Sequence, residues 1–126
     1  MELYIGGTGQ GKLHYVQTKK NLDCGAVADG AVCDEQQLLQ ASVINHFHLY
    51  LRRLLQEHED VEVCLRSLLN KNPSIVIIMD EVGCGIVPLD AFERQYREVV
   101  GRAGCRLAQE ASHVERIVCG LGQVLK

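Results

Sequence analysis

Tryptophan is absent, and two Phe and four Tyr are all the aromatic residues in 126. That leaves little from which to build a stacking platform for bases. Basic excess is also missing: thirteen Lys and Arg against sixteen Asp and Glu give a net charge of -3, so no surplus is available to neutralise a nucleic-acid backbone. The longest strongly apolar stretch, Ile75 to Met79, falls far short of the roughly 20 residues a membrane-spanning helix needs. The N-terminus opens on Leu3-Tyr4-Ile5 in place of a basic signal region. Six cysteines are present, but none forms a C-x-x-C pair and most sit in apolar runs, where Cys behaves as a small hydrophobe and not as a zinc ligand. Only two prolines and no low-complexity tract interrupt the chain. Its length suits one domain over residues 1–126, and the expectation is a soluble cytoplasmic protein with neither nucleic acid nor membrane as partner.

What is present alternates between strand and helix signals. A strand over Glu2 to Ile5 runs into a glycine-rich turn, and a short helix over about Leu13 to Lys19 follows. A weak strand around Ala26-Val27-Ala28 closes at Asp29-Gly30, a turn pair. Asp34 and Gln37 form a helix-start box, and Ala41, Ile44, Phe47, Leu51 and Leu54 recur at three- and four-residue steps; this pattern predicts one long helix. A second helix, about Val61 to Leu69, ends before Pro73. Ser74 to Met79 reads as a strand buried on both faces. Asp90 and Glu93 start a third long helix bearing Phe92, Tyr96, Val99, Ala103 and Leu107, and Val114 to Cys119 is a strand with Gln123 to Lys126 pairing back on it. The order predicts an α/β fold, a mostly parallel sheet flanked by helices.

The sharpest chemical signal is Gly6-Gly7-Thr8-Gly9-Gln10-Gly11-Lys12, which fits G-x-x-x-x-G-K between a strand and a helix. Glycines let backbone N–H groups curl around phosphate oxygens, the helix N-terminus adds positive potential, and Lys12 places a charge on the β- and γ-phosphates. A purine nucleotide, GTP or ATP with Mg²⁺, is the expected ligand. Leu13 stands where Ser or Thr normally offers Mg²⁺ a hydroxyl. Asp80 and Glu81 close the apolar strand at the carboxyl edge of the sheet, where acid either holds Mg²⁺ or caps the next turn. Asp29 is a second carboxylate placed by the same logic. Asn45, His48 and Arg52 fall on one face of the predicted long helix and His46, Tyr50 and Arg53 on the next; such groups contact phosphate or substrate, or form a solvated or inter-subunit face.

Asp80-Glu81-Val82-Gly83-Cys84-Gly85-Ile86-Val87-Pro88 resembles the N-E-V-G-x-G-I-V-P motif of the adenosylcobinamide kinase/adenosylcobinamide-phosphate guanylyltransferase family. Arg94 to Arg102 is similar to that family's R-x-F-R-[DE]-x-x-G-R run, Val118 to Leu121 to its terminal strand pair, and Gly6 to Lys12 to its first loop. The resemblance covers the first dozen residues and the chain from about Pro73 onward. It implies a P-loop α/β sheet of the RecA type, subunits assembled around their active sites, and phosphorylation of adenosylcobinamide by ATP or GTP followed by GMP transfer through a histidine. By position it gives Gly6, Gly7, Gly11 and Lys12 the phosphates, Asp80 and Glu81 the metal or substrate, and Asp29 the place of the family's acidic residue at the strand after the loop. Arg97 and Arg102 would brace the site or an interface. The family's guanylylated histidine precedes an Arg-Pro pair, whereas the prolines here follow Asn72 and Val87; neither His46 nor His48 fits that motif, so no covalent guanylyl-histidine is expected. Three functions follow: a short cobalamin-salvage transferase acting as the adenosylcobinamide kinase; a GTP- or ATP-binding regulatory or partner module without turnover; or a P-loop kinase for another alcohol.

A homo-oligomer is also expected. Leu38, Leu39, Ala41, Ile44, Phe47, Leu51, Leu54 and Leu55 form a band on the predicted long helix that is too broad for one contact stripe. Asn45, His48, Arg52 and Arg53 would rim the contact.

Overall fold

The computed structural model describes the backbone of residues 1–126 and every side chain except that of Cys24. Strand β1 (Glu2–Gly6) leads through the glycine turn into helix α1 (Lys12–Lys20), and a 3-10 turn, Cys24–Ala26, delivers the chain to β2 (Val27–Asp29). Helix α2 (Glu35–Gln40), strand β3 (Val43–Asn45), helices α3 (Phe47–Gln56) and α4 (Val61–Lys71), strand β4 (Val76–Asp80), helix α5 (Ala91–Glu110) and strands β5 (His113–Val118) and β6 (Leu121–Val124) complete it. The sheet runs β2-β3-β4-β1-β5-β6, parallel except for the β5–β6 pair. It is the expected α/β fold.

Strand alternation sorts the core into two layers. Leu3, Ile77, Met79 and Val114 point into one face, where they meet Leu38 of α2, Phe47, Leu51 and Leu54 of α3, Leu65 and Leu68 of α4, and Tyr96, Val100 and Leu107 of α5. Tyr4, Val43, Val76, Ile78 and Ile117 line the other face against Val16 of α1. Two helix starts carry their expected caps, the Asp34 carboxylate accepting from Gln37 N–H in a full capping box and Asp90 from Glu93 N–H, and a third is capped by Asp60, which accepts from Val63 N–H.

The long helix from Asp34 is corrected. Backbone turns extended at Ala41, and Val43-Ile44-Asn45 inserts between β2 and β4 as a parallel strand before α3 begins. The three- and four-residue spacing of Ala41, Ile44 and Phe47 is therefore a coincidence of strand and helix residues buried in the same core. The β-branched pair Val43-Ile44 suits a strand with neighbours on both sides. Asn45 consequently shares no helix face with His48 and Arg52, and His46 none with Tyr50 and Arg53. The apolar band falls with the helix: Leu38, Ile44, Phe47, Leu51 and Leu54 are all buried within the chain, and Leu39, Ala41 and Leu55 are partly covered. The band gives no ground for an inter-subunit contact.

Of the five described cysteine side chains only Cys33 is buried; Cys64 is partly buried, and Cys84, Cys105 and Cys119 are exposed. The expectation of buried thiols holds for the first alone. No group of three or more His, Cys, Asp or Glu able to hold a metal ion occurs among the described residues. None of their helices is long and apolar enough to cross a membrane.

Candidate functional site

Four parallel strands deliver their last residues to one edge of the sheet. Gly6 of β1 is level with Asp80 of β4, and Asp29 of β2 with Asn45 of β3. The carboxyl edge of an open α/β sheet is where ligands bind. Between β1 and α1 the loop turns back through Gly9 and Gly11, with φ of 71° and 80°. Gly11 is the left-handed N-cap of α1, a conformation that side chains disfavour.

Lys12 does not extend into solvent. Its ammonium donates to the Gly7 carbonyl at 2.6 Å and lies 2.7 Å from Asp80 Oδ1, with the two side chains only 7% and 12% exposed. Thr8 Oγ1 donates to the other Asp80 oxygen at 2.8 Å. Burial opposes ionisation of Asp80, but Lys12 and Thr8 outweigh it and hold the carboxyl below its ordinary range. His48, from the first turn of α3, closes this cluster from behind. Its Nδ1 accepts the Asp80 backbone N–H at 3.1 Å and its Nε2 stands 3.6 Å from Asp80 Oδ2. Burial pushes the His48 pKa down, against the pull of Asp80, and because Nδ1 accepts a backbone N–H the neutral ring carries its proton on Nε2.

Of the other loop residues, Gln10 is turned away: its side-chain oxygen accepts Cys119 N–H at 2.7 Å and its carbonyl accepts Gly120 N–H at 2.9 Å. The turn between β5 and β6 thereby braces the glycine loop. Leu13 packs into the apolar layer beneath α1 and offers the site no oxygen.

The acidic pair divides. Asp80 faces the loop, whereas Glu81 forms a fork with Arg116 at 2.7 and 3.0 Å, so its charge is already matched at an exposed position. Arg52 is committed to a bidentate pair with Glu93 across α3 and α5 and lies over the rings of Phe92 and Tyr96. Arg53 donates to the carbonyls of Gly30 and Cys33. Neither arginine rims an open contact. Arg97 braces the loop after Glu81 by donating to the carbonyls of Gly83 and Ile86. Arg102 pairs with Glu98 on an exposed turn of α5.

One cavity of about 340 Å³ is lined by Thr8, Gly11, Lys12 and Asp80 and, from the β3 side, by Asn45 and His46. His46 enters it as the left-handed N-cap of α3, φ 54°. Its Nδ1 lies 3.1 Å from Asp29 Oδ1. The Ala31 backbone N–H, more than His46, keeps the Asp29 carboxyl below its ordinary range against burial. Sequence reasoning on a continuous helix missed this pair, because strand pairing creates it. The legible signal is Gly30: a Cβ there would sit 2.4 Å from the His46 carbonyl oxygen. Gly30→Ala should lower stability by about 2 kcal/mol, as forced overpacking does, read from the urea midpoint; an unchanged midpoint would show that the approach relaxes freely.

The family model described as cobinamide kinase / cobinamide phosphate guanyltransferase matches residues 11–125, a span that includes Lys12, Asp29, His46 and Asp80. The chain is similar to the bifunctional adenosylcobalamin biosynthesis protein CobU of Salmonella typhimurium, 31% identical over 68 residues that make up 54% of this chain and 38% of that protein. The protein of the same name from Escherichia coli is 38% identical over 52 residues, 41% of this chain and 29% of the relative. The matched stretches thus span well under half of these relatives' length. With the match running over nearly the whole chain and the glycine loop at the head of a parallel sheet, the chain belongs to the cobinamide kinase / cobinamide phosphate guanyltransferase family.

Proposed function

We propose that this chain is a nucleotide-dependent phosphotransferase of cobalamin biosynthesis that phosphorylates adenosylcobinamide. One observation carries the reading: Lys12, Thr8 and Asp80 meet in a tight cluster at the mouth of the glycine loop, within a family whose description names the kinase reaction. A triphosphate entering the loop offers Lys12 phosphate oxygens in place of the Gly7 carbonyl and Asp80. Charge-assisted contacts of that kind are stronger than neutral ones. The cavity matches the small end of ligand pockets, enough for the phosphates and the reacting end of an acceptor whose bulk stays outside.

Mg²⁺ fits the donor set. Asp80 and the Thr8 hydroxyl are hard oxygen donors held 2.8 Å apart, and Mg²⁺ takes one or two carboxylates together with substrate phosphates in preference to an all-protein cage. Thr8 supplies from within the loop the hydroxyl that Leu13 lacks. When bound, the ion neutralises charge on the β- and γ-oxygens.

The second half-reaction of the family receives less support, because the histidine-to-Arg-Pro segment has no counterpart in the chain. Two incubations separate the activities. With adenosylcobinamide and γ-labelled GTP or ATP, label is expected in the corrinoid product; nucleotide binding without product would favour the non-catalytic module or a kinase for another alcohol, and absence of nucleotide binding would overturn the reading. With α-labelled GTP, denatured protein is expected to carry no acid-labile, alkali-stable label; label that His46→Ala or His48→Ala removes would overturn the absence of a guanylyl-histidine.

A further inference from the structure

Phosphoryl transfer to an alcohol needs a group to take the hydroxyl proton, and the cluster around Lys12 contains none suited to it. Asp80 is paired with Lys12 and Thr8 before nucleotide enters and is the carboxylate given to Mg²⁺ in the reading above. Glu81 is bound to Arg116. His48 spends its Nδ1 lone pair on the Asp80 backbone N–H and is itself buried. His46 lines the same cavity, and with Asp29 behind it forms a pair of the opposite character. The side chains of Asp29 and His46 are 49% and 45% exposed, open to an incoming acceptor, and both are fixed by backbone: Asp29 by Ala31 N–H at 3.0 Å, His46 by the close passage of Gly30.

We infer that His46 is the general base of the transfer and that Asp29 is its positioning residue. The inference rests on the kinase reading above and deepens it. With Asp29 accepting Nδ1–H, the imidazole is held in the tautomer whose Nε2 lone pair is available, the role a carboxylate plays behind a catalytic histidine elsewhere. The Asn45 amide lies 3.4–3.5 Å from the ring nitrogens and steadies the ring without using Nε2 at full hydrogen-bond strength. In the step, the acceptor hydroxyl oxygen forms a bond to the γ-phosphorus, the bond from that phosphorus to the β,γ-bridging oxygen breaks, and the nucleoside diphosphate leaves with the electron pair. The hydroxyl proton passes to His46 Nε2 and from there to solvent. The charged and titratable groups that face His46 are Asp29 from β2, His48 from α3 (its ring centroid at 5.9 Å), and Lys12 and Asp80 across the cavity.

The test compares wild type, His46→Gln, His46→Ala and Asp29→Asn in transfer of labelled γ-phosphate to adenosylcobinamide, with GTP affinity measured separately. His46→Gln should lower kcat by about 10²–10³-fold while GTP affinity stays within threefold. Wild type is expected to show a rate that rises with pH, and that rise should vanish in the variant. Imidazole should restore part of the rate to His46→Ala and none to Asp29→Asn. Undiminished kcat in His46→Gln, or an unchanged pH profile, overturns the inference and leaves the kinase reading standing. Wild-type protein that binds GTP but transfers nothing overturns both.

Discussion

Lys12→Ala should weaken binding of GTP or ATP at least tenfold, about 1.4 kcal/mol, because it deletes the one cation placed inside the glycine loop. The same substitution leaves Asp80 with Thr8 as its only side-chain hydrogen-bond donor among the described residues, in a site that is nearly closed to water, and a buried carboxylate without a countercharge is costly. Two effects are therefore combined, and Asp80→Asn separates them. Adding it to Lys12→Ala should recover stability without recovering nucleotide. Isothermal titration measures the first effect and urea unfolding the second. Titrations of Lys12→Ala that match wild type would remove the loop from the account.

Glu115→Gln should cost stability on the other side of α1. Glu115 is 1% exposed, yet it accepts from the Tyr15 hydroxyl, from Lys19 at 2.5 Å and from His113 at 2.8 Å. Burial works against its ionisation, and these donors overcome it, bringing the carboxyl down to about 2 from an ordinary 4.5. A carboxyl whose folded pKa lies below its unfolded one contributes fully above the unfolded value, and the contribution drains away as pH falls through the folded value. Here the window runs from about 4.5 down to about 2, and the neutral-pH contribution is about 3 kcal/mol. The Gln variant should lose that amount at pH 7 and little at pH 2. Equal losses at both pH values would place the effect in packing instead of charge. The network also explains Gly122: a Cβ there would meet Glu115 Oε1 and the Tyr15 hydroxyl oxygen at 2.0 and 2.2 Å.

The parts of the fold that a sequence displays locally were legible. The glycine loop, the doubly buried β4, the Asp caps and the β5–β6 return each depend on residues adjacent in the chain. Strand β3 was not, since three residues are too few to show a period, and its flanks happened to continue a helical spacing. Its presence had an indirect sign: β4, apolar on both faces, needs a neighbour on each side, and β1 fills only one. The Asp29–His46 pair was hidden for the same reason, because 17 residues separate its members and only β2–β3 pairing joins them. Thr8 stood in plain view, but its value depends on Asp80 lying 72 positions away. Glu115 was readable in principle, since alternation puts it on the same strand face as Ile117, and a lone carboxylate on an apolar face calls for buried donors.

The claim on which the rest depends is that the loop from Gly6 to Lys12 binds the phosphates of a nucleotide and not its base. Calorimetric titration of the wild-type chain with GTP, GDP, GMP and guanosine, each with Mg²⁺, measures this directly. Affinity is expected to fall stepwise as phosphates are removed, with the triphosphate bound at least tenfold more tightly than the monophosphate and guanosine not detectably bound. Equal affinity for GTP and guanosine, or no heat with any of the four, would contradict it.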